Sequence, residues 1–253
     1  VELPGRPDEG LSPEAFKKVL SENKIKACLL NSNFQNPLGS VIRIKNKKAI
    51  LQIAQEYNTP IIEDDIYGDL YFGSKRPGTF KGLDEKGMVL YCSSFSKSLA
   101  PGLRTGWTAP GRFFDAVERI KLNSTISSPA IGHTVVARFI QTGAYDRHLR
   151  QYRRHLKNQA SAMAMAMAKY FPPDTQISFP RGGMFIWVVL NRDSDSFYIY
   201  QKAYEKKISI LPGTLCSTTD KFKNCLRINC GMKWSPRLEK GIQTLGRIIK
   251  NSR

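Results

Sequence analysis

The chain is poor in the residues that build disulfide frameworks and metal sites. Its 253 residues include five cysteines and three histidines. Cys28, Cys92, Cys216, Cys225 and Cys230 show no CxxC spacing. An odd number without a framework argues for reduced, mostly buried thiols and a cytoplasmic setting. His133, His148 and His155 form no metal-ligand cluster, so no metal is expected. Acidic residues are also scarce, 21 against 39 Lys plus Arg, leaving a net charge of +18. That excess is scattered, with short clusters only at Lys45-Asn46-Lys47-Lys48 and Arg153-Arg154, and reads as a solvated basic surface rather than a nucleic-acid stripe. No apolar run approaches a membrane span and no signal peptide appears, so no membrane partner is expected. There is no internal repeat, and the Ala- and Met-biased Ala160–Ala168 is the single low-complexity stretch. The chain opens at Val1 rather than Met, which reads as a fragment of something longer.

What is present is a globular composition, 41% hydrophobic, with room for one large domain or two small ones. Ser12-Pro13-Glu14 opens a helix, with a capping hydroxyl, a proline in the first turn and an acid at the positive end of the dipole. Ala27–Asn31, Pro60–Asp64 and Met88–Cys92 read as buried strands and Arg104–Ala109 as a fourth. The period over Lys45–Tyr57 is helical, and Arg112–Leu122, Pro129–Gln141 and Asp146–Tyr170 follow as helices. Strands alternating with helices imply parallel pairing. Past Pro172-Pro173 the alternation loosens. Strands are expected at Gln176–Phe179, Met184–Leu190, Ile208–Leu211 and Cys225–Asn229, with helices over Phe197–Lys206 and from Ser235 to about Lys250. Ala160–Ala168 reads as a closely packed helix, because Ala and Met are strong helix formers.

In parallel sheets, ligands sit beyond the carboxyl ends of the strands. Asn36, Asp64, Tyr67 and Lys97 all fall there. Lys97 lies in Ser93–Trp107, among small hydroxyl residues and seven positions before Arg104. A lysine amine can bond covalently to an aldehyde, and hydroxyls with a guanidinium suit a phosphate beside it. Taken singly, each piece has an ordinary reading. Asn36-Pro37-Leu38-Gly39 is a turn, Asp64–Tyr67 a helix cap, Arg227 a surface ion pair, and Lys97 an exposed lysine. Asp64 and Asp65 are adjacent at a strand end, and their spacing does not separate their roles.

Jointly, the pieces resemble class I/II aminotransferases, the pyridoxal phosphate (PLP) enzymes of fold type I. The family's Asn-Pro-x-Gly, Asp-x-x-Tyr, Ser-x-Ser-Lys and Gly-Gly-x-Phe-x-Trp elements match Asn36–Gly39, Asp64–Tyr67, Ser94–Lys97 and Gly182–Trp187. The resemblance implies PLP as cofactor, with Lys97 as the lysine that holds its aldehyde. Asp64, in preference to Asp65, would then pair with the ring nitrogen, and Tyr67 and Asn36 would face the phenolate oxygen. Ser94, Ser96 and Arg104 would bind phosphate, and Arg227 would clamp a substrate carboxylate. Ile62–Gly73, Tyr145–Arg150 and Asn224–Gly231 further resemble the aminotransferase-like half of MocR regulators, bacterial transcription factors of the GntR superfamily.

The fold expected is α/β: a PLP-dependent transferase-like (fold type I) large domain with a mainly parallel sheet, N-terminally truncated, over residues 1–142. A connecting long helix and a smaller C-terminal α+β domain occupy 143–253. The leading functional expectation is a PLP-binding sensor half of a MocR/GntR-type regulator, with an amine or amino-acid effector. The alternatives are an aminotransferase acting on an amino acid and a 2-oxo acid, or a remnant that binds no cofactor. A homodimer is implied for the full-length protein, with DNA contacted only through an N-terminal domain absent from these residues. Missing strands are expected to leave apolar surface exposed.

Overall fold

Ser12 begins the first helix as its sequence suggests, with its hydroxyl accepting from Ala15 N at 3.2 Å. The computed structural model describes residues 1–219 and 221–252. A short hairpin of β1 (Gly5–Arg6) and β2 (Gly10–Leu11) precedes α1 (Pro13–Glu22). Then come β3 (Cys28–Leu30), α2 (Ile44–Glu56), β4 (Ile61–Asp64), β5 (Val89–Ser94) and β6 (Gly106–Ala109). Three helices follow: α3 (Phe114–Thr125), α4 (Ala130–Gln141) and the long α5 (Ala144–Tyr170). The C-terminal part comprises β7 (Gln176–Ile177), β8 (Phe185–Val189), α6 (Ser196–Glu205), β9 (Leu211–Pro212), β10 (Cys225–Asn229) and α7 (Pro236–Asn251).

The strands form two four-stranded sheets. The first has the order β3-β4-β5-β6, with β3, β4 and β5 parallel. The second, β7-β8-β10-β9, is antiparallel. The architecture is thus α/β, with a mixed, mostly parallel sheet and a smaller antiparallel one. Three expectations need correction. β6 runs antiparallel to β5, because only a turn and one short 3₁₀ segment join them, and a parallel return needs a longer crossover. β3 is an edge strand, so its Leu29 is 70% exposed rather than buried. The segment expected as a strand at Ile208–Leu211 pairs only from Leu211.

The buried apolar side chains sort into packed groups, three of them large and a smaller one of Leu38, Trp187 and Cys225. Phe16, Leu20, Ile50, Leu51 and Ala54 of α1 and α2 lie against Cys28, Leu30, Ile61 and Val89 of the first sheet. The Met- and Ala-rich end of α5 packs with α6, α7, β8 and β10 through Met163, Met167, Ile199, Leu226 and Leu245. Met165, on the opposite face, is 68% exposed. Phe34, Tyr67, Leu70, Leu149, Leu156 and Phe185 form the third group and connect the two sheets through α5. Gly143, at a left-handed φ of 66°, lets the chain turn from α4 into α5. Leu29 and Trp107 lie exposed on the two edge strands, and Ile120 of α3, Ile126 just past its end, and Ile131 of α4 are exposed too.

A layer of buried polar groups underlies the turn after β4. Lys47 belongs to the cluster that reads as solvated surface, yet it is 1% exposed. It shares a helical face with Ile50, Leu51 and Ala54, and that face turns inward. Its Nζ donates to Asn33 Oδ1 at 2.7 Å and to the Gly78 carbonyl. Asn33 Nδ2 donates to Asp65 Oδ1 at 2.9 Å. Asp65 Oδ2 accepts from Arg76 Nη2 at 2.6 Å and from the Tyr91 hydroxyl at 2.9 Å. The neighbouring Glu63, also buried, accepts from Ser32 Oγ and from the backbone N–H groups of Phe80 and Lys81. Burial pushes Glu63 above the ordinary carboxylate range.

Burial also lowers Lys47 from 10.5 to about 8, against the pull of Glu63 and Asp65 and with a smaller push from Arg76. Between pH 8 and 10.5 the unfolded chain keeps a proton that the folded chain has released, so stability rises with pH. The contribution is complete above the unfolded value and is lost as pH falls through the folded one. Urea melts at pH 7.5 to 10.5 should show wild type gaining about 3 kcal/mol over Lys47→Met across the window, at roughly 1.4 kcal/mol per pH unit. A difference that stays flat with pH would mean that burial leaves the Lys47 charge unaffected.

Candidate functional site

The site residues are carried by loops at the carboxyl ends of β3, β4 and β5 and by one strand of the second sheet. β4 pairs with β5 through Asp64↔Cys92, which sets the Asp64 turn beside the Lys97 turn. Two further bonds join the turns: Asp65 N donates to the Cys92 carbonyl at 3.0 Å, and Ser93 Oγ donates to the Asp65 carbonyl at 3.3 Å. Asn31, after β3, ties in the third loop. Its Nδ2 donates to the Asp64 carbonyl at 2.7 Å, and its Oδ1 accepts from Asn36 N at 3.0 Å.

The expected residues fall into two groups. In the first, Arg227 of β10 donates from Nη1 to Asn36 Oδ1 at 2.7 Å. Its guanidinium lies 4.4 Å above the Phe185 ring, and Phe185 meets Tyr67 edge-on at 5.5 Å. Burial raises the Tyr67 phenol; Arg227 opposes that shift and Asp64 adds to it, so the three are electrostatic neighbours. In the second group, Ser94 Oγ donates to Ser96 Oγ at 2.9 Å and accepts from Ser96 N at 3.0 Å. Arg104 sits in the left-handed region at φ 47°, with Nη1 3.5 Å from Ser96 Oγ. Lys97 lies on the turn that follows, half-buried, and makes no hydrogen bond or ion pair among the described residues.

The adjacent aspartates differ sharply. Asp65 is filled by Arg76, Tyr91 and Asn33 and points into the polar layer. Asp64 is half-buried, has no ion pair among the described residues, and accepts one bond from Ile66 N at 3.3 Å. Burial raises its carboxyl, the Ile66 N–H opposes that, and the Asp65 charge adds to it. A carboxylate in that state favours a cationic N–H partner.

These donors and acceptors fit PLP. Lys97 offers a free amine, Asp64 an unpaired carboxylate, Tyr67 a protonated phenol, and Ser94, Ser96 and Arg104 a hydroxyl and guanidinium cradle. The Asn36 amide nitrogen remains available, since its carbonyl oxygen is taken by Arg227. Arg227 also has a buried Nε without a partner. A sizeable concavity lies elsewhere. It measures about 610 Å³ along the exposed edge of β3, where Leu29, Leu3 and Phe222 line it, and it reaches Gln35 and Pro37 but not Lys97, Asp64 or Arg227. Among the described residues no group of His, Cys, Asp and Glu is placed to hold a metal ion, and no helix is long and apolar enough to cross a membrane. Of the cysteines, Cys28, Cys225 and Cys230 are buried. Burial pushes Cys225 to about 11 and Cys230 to about 12.

Sequence reasoning did not single out Asn31, Arg76 or Phe185 for the site. Phe185 lies inside a quoted family motif, which was the available signal. Arg76 carries none, because it acts across the fold from a loop.

The family model for aminotransferase class I and II matches residues 4–241. In sequence the chain is 35% identical over 249 residues to YjiR, an uncharacterized HTH-type transcriptional regulator of Escherichia coli, covering 98% of this chain and 53% of that protein. It is 29% identical to aromatic-amino-acid aminotransferase 1 of Thermococcus litoralis, covering 96% and 60%. In structure it matches kynurenine aminotransferase of Pyrococcus horikoshii, crystallised with PMP, with a TM-score of 0.93, 30% identity and 99% and 63% coverage. It also matches LysN, the alpha-aminoadipate aminotransferase of Thermus thermophilus complexed with N-(5'-phosphopyridoxyl)-L-leucine, at 0.92, with 27% identity and 99% and 65% coverage. The chain spans about half the length of the curated relatives it matches. With a family model covering nearly all of it, the chain belongs to the aminotransferase class I and II family.

Proposed function

We propose that this chain is the Lys97-bearing part of a PLP-dependent aminotransferase that moves an amino group between an amino acid and a 2-oxo acid. The observation that carries the reading is Arg227. Its Nη1 is fixed by Asn36, and Nη2 has no partner among the described residues, which leaves the end of the guanidinium open to a carboxylate. Phe185 beneath the guanidinium holds its plane.

When bound, PLP supplies an aldehyde and an electron-accepting ring. Lys97 would hold that aldehyde, and its amine would be the group placed to move a proton at the substrate Cα. Asp64 would hold the proton on the ring nitrogen. Tyr67, kept protonated by burial, would donate to the phenolate oxygen, with the Asn36 amide beside it. Ser94, Ser96 and Arg104 would bind the phosphate, and Arg227 would orient the substrate carboxylate.

A second reading is favoured by the 35% identity to an HTH-type transcriptional regulator. There the same residues bind an amine or amino-acid effector without turnover, as half of a dimeric MocR-type regulator whose DNA contacts come from another domain. An amino-acid panel with PLP and a 2-oxo acid separates the two. A new amino acid appearing in the mixture supports the enzyme. Amino-acid-dependent changes in the PLP absorbance without any product support the sensor.

Two outcomes are expected. Borohydride reduction after adding PLP should leave a phosphopyridoxyl group on the peptide containing Lys97, and Lys97→Ala should lose it. Equal labelling of wild type and variant would remove Lys97 from the reading. Arg227→Lys should raise the KM for the amino acid, or the effector Kd, about 10- to 100-fold, as expected for losing a charge-assisted bidentate contact. An unchanged constant would detach Arg227 from the carboxylate.

A further inference from the structure

Tyr145–Arg150 stood out in the sequence, yet none of its residues enters the donor set above. In the fold it forms the start of α5 and lies against the Lys97 turn. The Tyr145 hydroxyl is 2.8 Å from Ser98 Oγ and 3.2 Å from Asp69 Oδ2. Burial pushes this phenol up to about 12, so it keeps its proton, which it donates between the Ser98 hydroxyl and the Asp69 carboxylate. One turn on, His148 Nε2 lies 2.9 Å from the Ser98 carbonyl, with its ring stacked on Tyr152 at 5.5 Å. The Tyr145 ring meets Phe95 edge-on at 5.5 Å. Helix α5 therefore grips residues on both sides of Lys97, and Ser98 is 2% exposed as a result.

The other end of this contact is anchored as firmly. Asp69 Oδ1 accepts from Arg76 Nε at 2.8 Å, and Arg76 Nη2 reaches Asp65. Arg153 of α5 donates to the Asp69 carbonyl at 3.2 Å. An unbroken hydrogen-bonded path thus runs from Asp65, next to Asp64, through Arg76, Asp69 and Tyr145 to Ser98, next to Lys97. Lys97 itself has no partner among the described residues, and its side chain is long and flexible, so its aim is set by the backbone of the turn. We infer that Tyr145 and His148 are positioning residues that hold the Lys97 turn in register with the Asp64 turn. This inference rests on the PLP reading for its chemical purpose, while the clamp itself is a property of the polypeptide.

Hydrogen–deuterium exchange of the PLP-free protein tests the clamp, and PLP labelling of Lys97 with borohydride tests its purpose. Tyr145→Phe keeps the ring against Phe95 and removes only the oxygen. It should speed exchange over residues 95–100 about tenfold, the effect of losing the one Tyr145 hydrogen bond that reaches this turn, without changing residues 160–170. It should also lower Lys97 labelling at limiting PLP several-fold, by about the same factor. His148→Ala should act the same way. His148→Gln, whose amide can still donate to the Ser98 carbonyl, should stay near wild type. Wild-type exchange over 95–100 in Tyr145→Phe, or faster exchange spread evenly over the whole chain, overturns the clamp. Faster local exchange with unchanged labelling overturns its role in positioning Lys97. If wild type takes no PLP onto Lys97, the cofactor reading fails and so does that role, while exchange still judges the clamp.

Discussion

The buried Asp65 carboxylate is the constraint on which the site depends. A buried charge must be paired and fully hydrogen-bonded, or it destabilises the fold by several kcal/mol. Asp65 meets that demand with Arg76, Tyr91 and the Asn33 amide, and Asn33 is held in turn by Lys47. The partners come from α2, from β5 and from the loops after β3 and β4. Satisfying one carboxylate therefore fixes the relative positions of elements far apart in sequence. Asp64, one residue earlier, accepts a single bond, from Ile66 N, and has no ion pair among the described residues.

Helix α5 extends the same logic over a longer distance. Its first turns carry Tyr145, His148 and Arg153 against the Lys97 and Asp69 turns. Its last turns carry Met163 and Met167 into the core around β8 and β10, where Arg227 resides. One rigid element thus spans the residues proposed to hold the cofactor and the strand proposed to hold the substrate carboxylate. Leu149 and Leu156 fill the space between with Phe34, Tyr67 and Phe185. The polar contacts and the apolar packing of α5 serve the same placement.

Much of this was legible in the sequence. The caps and apolar periods at Ser12, Ile50–Ala54 and Ser235 give helices close to where they occur, because capping and amphipathicity are local properties. The positions of Asn36, Asp64, Tyr67 and Lys97 at strand ends followed from the alternation of strands and helices. The pairing of β6 did not, since a strand's direction depends on how far its connection can reach. Lys47 shows the same limit. Its charged neighbours suggested solvent, and only the packing of α2 on the sheet turned its face inward.

Residue types at the candidate site, their order and the strand ends on which they sit are written into the local sequence. Each of those is encoded within a few neighbouring residues. The tertiary structure alone decided which aspartate is buried and satisfied, that Arg227 of the second sheet meets Asn36 of the first, and that Tyr145 closes on Ser98. Those outcomes depend on which donor reaches a buried acceptor across the fold, from 11 residues away for Arg76 and Asp65 to 191 for Arg227 and Asn36. No local pattern carries that information, because the cost of an unpaired buried charge exists only once the chain has closed around it.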